Sequence, residues 1–152
     1  MSADALRAGV RRVLRAQIDE VETSLRDAGW LILRIPCGAR DKDSFLAKLR
    51  ECVPLDPPMP EPRNNWDALR DSLWNGLCSL SNPCIAIVWS DARTMQCASP
   101  RDFGVAASIL AETAQGLADS TVTHLPAKRV AVILGGDWPP SDHDDLPQAG
   151  GR

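Results

Sequence analysis

The apolar positions of this chain fall into two patterns: a helical one that recurs every three or four residues, and short continuous runs. From Ser2 to Ala28, the residues Leu6, Val10, Val13, Leu14, Ile18, Val21 and Leu25 keep the helical spacing. Ser2 is placed to cap the start and Gly29 to end it, so the pattern predicts an N-terminal helical extension over residues 1–29. The intervening charges, Asp19, Glu20, Glu22 and Asp27 among them, read as a solvated face. So many acids also argue against a basic amphipathic helix for membranes.

Trp30 to Ile35 is a nearly continuous apolar run ended by Pro36 and Gly38, the pattern of a strand covered on both faces and hence of a parallel sheet. Cys84 to Trp89 and Arg129 to Leu134 repeat it, the last closed by Gly135-Gly136. Helical spacing returns from Ser44 to Cys52, with Phe45, Leu46 and Leu49 inward and Asp43 or Ser44 as the cap. It returns again from Asn64 or Asn65 to about Leu80. A further helix is expected from Pro100, suited to a first turn, to Leu117, with Gly116 as its stop signal.

Between these elements, Pro54 to Pro62 excludes helix and central strand, because each Pro removes a donor and restrains its predecessor; a stiff surface loop is expected. Asp137 to Arg152 offers little to bury and reads as a flexible tail. Strands alternating with helices predict a small α/β layer structure with a three-stranded parallel sheet. It would occupy residues 30–135, between the extension at 1–29 and a tail at 136–152.

Composition adds limits. A chain of 152 residues has room for one domain with extensions. A formal net charge of -3 gives no general attraction to nucleic acid or anionic lipid, and favours a basic partner. No apolar run approaches the roughly 20 residues of a membrane helix. The start Met1-Ser2-Ala3-Asp4 lacks the pattern of a secretory signal, so a cytoplasmic protein is expected. Cys37, Cys52, Cys78, Cys84 and Cys97 are odd in number and widely spaced, as expected of reduced thiols rather than disulfides or a zinc site.

The helix after the Pro-rich stretch carries the candidate chemistry. At about 100° per residue, Leu69, Leu73, Leu77 and Leu80 fall on one side with Trp66 at its border. Nearly opposite stand Asp67, Asp71, Trp74 and Cys78, flanked by Arg70 and Asn75. Asp67, three residues after a capping Asn64, fits the start of a helix and its dipole. Asp71 lies a turn further in, where that benefit has faded and the repulsion from Asp67 costs a few tenths of a kcal/mol. An exposed Trp74 beside well-placed charges is what a binding surface uses.

The segment Asn65-Trp66-Asp67-Ala68-Leu69-Arg70-Asp71-Ser72-Leu73 resembles the Asn-x-Asp-Ala-Leu-x-Asp-x-Leu core of the barstar family of ribonuclease inhibitors. The neighbouring elements keep that family's order over roughly Trp30 to Leu134. The resemblance implies a barstar-like α/β fold and a non-catalytic role, with Asp67 and Asp71 entering a nuclease site that gathers cations to hold phosphate. Asn64, Asn65, Arg70, Trp74 and Asn75 would complete the partner-binding surface. It also implies no cofactor or metal, and a one-to-one complex with a protein partner. Two features depart from the family: no Tyr-Gly loop leads into the motif, and Arg63 and Arg70 add positive charge beside the acids. These departures point to a target other than a secreted ribonuclease, such as a toxin nuclease for which this chain is the immunity protein.

Two other classes fit less of the sequence. An adaptor with the same fold would bind a partner that is not a nuclease. A Cys/His hydrolase would need an accessible thiol of lowered pKa beside His124, and an adventitious metal site would use His143 with Asp142, Asp144 and Asp145.

Overall fold

A computed structural model describes residues 9–59, 65–119, 121 and 126–140. The strands are β1 (Gly9–Leu14), β2 (Leu31–Arg34), β3 (Cys84–Trp89) and β4 (Arg129–Gly136), and the helices are α1 (Ile18–Asp27), α2 (Lys42–Cys52), α3 (Trp66–Cys78), α4 (Ala92–Ala98) and α5 (Pro100–Leu117). All pairings are parallel and the strands stand in the order β1-β4-β3-β2.

The N-terminal extension departs most from expectation. Residues 9–14 of it are not helix but β1, which pairs with β4 from Gly9↔Ala131 to Leu14↔Gly136 and makes the sheet four-stranded; residues 1–8, with Ser2 and Leu6, lie outside the described residues. Three apart, Val10 and Val13 share a helix face but point to opposite faces of a strand, Val10 onto the α2–α5 side and Val13 onto the α1 side, and their β-branched side chains suit a pleated surface. The unpaired edge of β4 decides for the strand, because its backbone groups need partners. The helix begins only at Ile18, after a 3-10 turn at Arg15–Gln17.

Gly29 ends α1 as expected. It sits at φ 92°, a conformation that favours glycine, while its N–H donates to Arg26 O and that of Trp30 to Leu25 O, both at 3.0 Å. Glu22 corrects the picture of a solvated face. It is 8% exposed, and its two carboxylate oxygens share the Nε–H of Arg34 at 2.9 and 3.0 Å. That contact ties α1 to the end of β2 and raises the Arg34 pKa, through the hydrogen bond first and the charge of Glu22 second.

The sheet divides two cores. On one face Val13, Ile18, Val21, Leu25 and Trp30 cover Ala86, Val88, Ala131 and Ile133. On the other, α2 to α5 pack on Ile85, Ile87, Val130 and Val132. The nearly unbroken burial along β3 and β4 is the expected signature of strands covered on both faces. β2 is covered on both faces too, but as an edge strand it is only half-buried.

The later elements match expectation with local shifts. α2 starts at Lys42 and is capped by Asp41, rather than Asp43 or Ser44, with Asp41 Oδ1 accepting from Ser44 N at 2.9 Å. These bonds from Ser44 lower the Asp41 pKa. α4 was not expected, because Ala92 and Met95 are its only buried residues and make no periodic run. Gly135 and Gly136 are the last two residues of β4, within the strand that they close. A Cβ at Gly135 would stand 2.5 Å from Ser90 O, and one at Gly136 would stand 2.2 Å from Arg93 Cβ.

Past β4, Trp138 is buried, donating from Nε1 to Leu134 O at 3.0 Å, so the expected tail is anchored at its start. The rest of that tail, 141–152 with His143, Asp142, Asp144 and Asp145, lies outside the described residues, as do His124, Arg63 and Asn64.

Candidate functional site

α3 is held on three sides. Leu69, Leu73 and Leu77, each fully buried, face the core, and Trp66 packs on Phe45 of α2 with ring centroids 6.2 Å apart. A second side carries Ser72 and Gly76 and meets the segment after α2. There Ser72 Oγ donates to Pro57 O at 2.8 Å, and Asp56 N donates to Ser72 O at 3.0 Å. Pro54 O lies so close that a Cβ at Gly76 would stand 1.7 Å from it. Met59 is buried and its carbonyl accepts from Arg50 Nε, so the described part of the Pro-rich loop is pinned.

The third side corrects the helical wheel. Trp74 is half-buried and turned onto α5, where a Cβ at Gly116 would come within 2.4 Å of its ring. Gly116 therefore makes room for Trp74 inside α5, and is not the stop signal expected of it. Cys78 is likewise half-buried against the core. For Trp74 it is α5, whose crossing the sequence pattern could not place, that turns the ring inward.

Solvent is left with Asp67, Asp71 and Asn75, spaced one turn apart on a line along α3. The Asp67 side chain is 93% exposed. The cap is Asn65, whose Oδ1 accepts from Asp67 N at 2.8 Å and from Ala68 N at 3.3 Å. Asp67 therefore acts in no capping box; its carboxylate is free of the helix backbone and sits favourably near the N-terminal dipole.

Arg70 lies between the acidic line and α5. Its Nη1 is 3.9 Å from Asp67 Oδ1, and its Nε is 3.4 Å from Glu112 Oε1, an ion pair without hydrogen-bond geometry. Glu112, on α5, is the residue that sequence reasoning missed: no spacing within α3 reveals a neighbour delivered by another helix. The surface thus gathers Asp67, Asp71 and Glu112 around one arginine. Its excess of negative charge suits a cationic site.

Among the described residues, no cluster of three or more His, Cys, Asp or Glu could hold a metal. No described helix is long and apolar enough to cross a membrane. Cys52 is pushed up to about 11 by burial first and by Glu51 second, the opposite of a nucleophile's needs.

A scan against family models matches residues 33–125 to Barstar (barnase inhibitor). The chain belongs to the barstar family. The match contains α2, α3 and α5 whole and so takes in the acidic surface, while β1, α1 and β4 lie outside it. Barstar proteins are inhibitors rather than enzymes, and this membership implies a ribonuclease partner. No curated protein and no solved structure matches the chain.

Proposed function

We propose that this barstar-family chain is the immunity protein of a toxin ribonuclease and blocks its active site with α3. Asp67 and Asp71 would stand where the RNA phosphates bind, each met by a cation of the nuclease. The observation that carries this reading is the exposure of both acids on a helix whose other sides are packed. Asp67 has only the helix dipole and a 3.9 Å pair with Arg70, and Asp71 lies beyond the dipole's reach, so the fold gains little from setting the two acids one turn apart. Arg70 fits the same reading, because its pairing with Asp67 and Glu112 neutralises a charge that would otherwise oppose a cationic cleft. Asn65, Trp74 and Asn75 would serve by holding or bordering the acids, Trp74 through packing rather than as an exposed anchor.

The test is co-expression with the products of neighbouring genes, followed by an RNA-cleavage assay of any bound partner with and without this chain. Tight binding with loss of cleavage is the expected result. A bound partner without nuclease activity would replace the immunity reading with the adaptor reading.

A further inference from the structure

Arg70 stands as a cation inside the acidic surface of α3, three residues after Asp67 and one before Asp71. Its side chain is 42% exposed, while its Nε is shut off from solvent and turned towards Glu112. In the free chain the two acids balance its charge, but neither contact is a hydrogen bond. Nη1 lies 3.9 Å from Asp67 Oδ1, too far for one, and Nε lies 3.4 Å from Glu112 Oε1 without the geometry for one. The terminal nitrogens are left to water.

Seating a nuclease on α3 changes that balance. A stable interface covers about 800 Å² of each partner, so a protein held by Asp67 and Asp71 covers Arg70 as well. Asp67, 93% exposed, would turn to a cation of the nuclease, and Arg70 would lose one of its two acids together with its water. Glu112 cannot replace them, because it meets Arg70 through the buried Nε. Arginine does not give up its proton, and a charge covered without a partner is strongly destabilising. The missing acceptor has to come from the nuclease, and a carboxylate matches the planar fork with two bonds at once.

We infer, resting on the immunity reading, that Arg70 selects the partner: the nuclease carries an Asp or Glu side chain among the cations of its phosphate site, and that carboxylate accepts from the terminal nitrogens of Arg70. An acid has a place in such a site, because RNA cleavage needs a group to take the proton of the attacking hydroxyl. A nuclease offering only cations and neutral groups there would meet an unpaired positive charge and be refused.

Titration calorimetry of the full chain with the nuclease recovered by co-expression tests it. Arg70→Ala should weaken binding by about tenfold or more, and Arg70→Lys, which keeps the charge but loses the fork, by less. The acids of the nuclease cleft are then replaced one at a time by their amides. One replacement should cost the parent chain about tenfold more than it costs Arg70→Ala, the mark of a direct pair. Arg70→Glu should bind poorly and be restored by a lysine at that position of the nuclease. The variants should melt with the parent, since exposed ion pairs contribute little to folding. The inference is overturned if Arg70→Ala binds as tightly as the parent or more tightly, or if no cleft acid is coupled to Arg70. In either case, weakening by Asp71→Ala would leave the immunity reading standing. If no nuclease is recovered, both fall. Should Arg70→Ala melt lower than the parent, Arg70→Lys carries the same cycle.

Discussion

At the scale of single residues, the acidic helix separates binding from folding. Asp71 is exposed and makes no contact that folding needs, so Asp71→Ala should leave the melting temperature within about 1 °C, as surface changes do. Affinity for the nuclease should fall by about 2–5 kcal/mol, the range for a desolvated interfacial charge, to which complexes of this family contributed. Unchanged affinity in a titration would remove Asp71 from the interface. Gly76 behaves in the opposite way. Alanine is the better helix former by about 1 kcal/mol, yet its Cβ would meet Pro54 O at 1.7 Å. Gly76→Ala should therefore lower stability by more than about 2 kcal/mol, or the melting temperature by at least about 4 °C, and a variant as stable as the parent would contradict the packing. The thiols differ by burial. Alkylation of the native protein near pH 8 should reach exposed Cys37 and Cys97 and spare Cys52, which mass mapping can check. Since burial raises Cys52 to about 11, its protonated form is favoured by the fold. That contribution is full below about pH 9 and is lost as pH rises through about 11.

At the scale of elements, the sequence announced whatever its own periodicity decides. β2, β3 and β4, together with α2, α3 and α5, have apolar repeats long enough to name one structure. Gly29 named the end of α1 because a left-handed turn needs glycine. β1 was illegible for a physical reason: Val10, Val13 and Leu14 keep the helical spacing, a strand buried on both faces needs no alternation to contradict it, and the deciding partner, β4, lies far along the chain. α4 was missed because it buries only Ala92 and Met95. The candidate site divides in the same way. Asp67 and Asp71 could be read from α3 alone, whereas the inward turn of Trp74 and the arrival of Glu112 depend on how α5 crosses it.

At the scale of the molecule, β1 and α1 are structural parts of the fold, although the family match begins after them. Deleting residues 1–29 should expose Ala86, Val88, Ala131 and Ile133 together with the edge of β4. The shortened chain should melt lower and form oligomers visible by light scattering; a monomer of unchanged stability would show that the extension is dispensable. The strand order has a further consequence in time. The first strand waits for the last, because β1 pairs only with β4. At about 5–20 residues per second, a ribosome leaves β1 without its partner for roughly 5 to 25 s. The newborn chain thus carries an unpaired first strand for that interval, and if the proposed toxin nuclease is made alongside it, the interval is one without protection. A cell using this protein for protection would need a stock of finished molecules before the enzyme arrives.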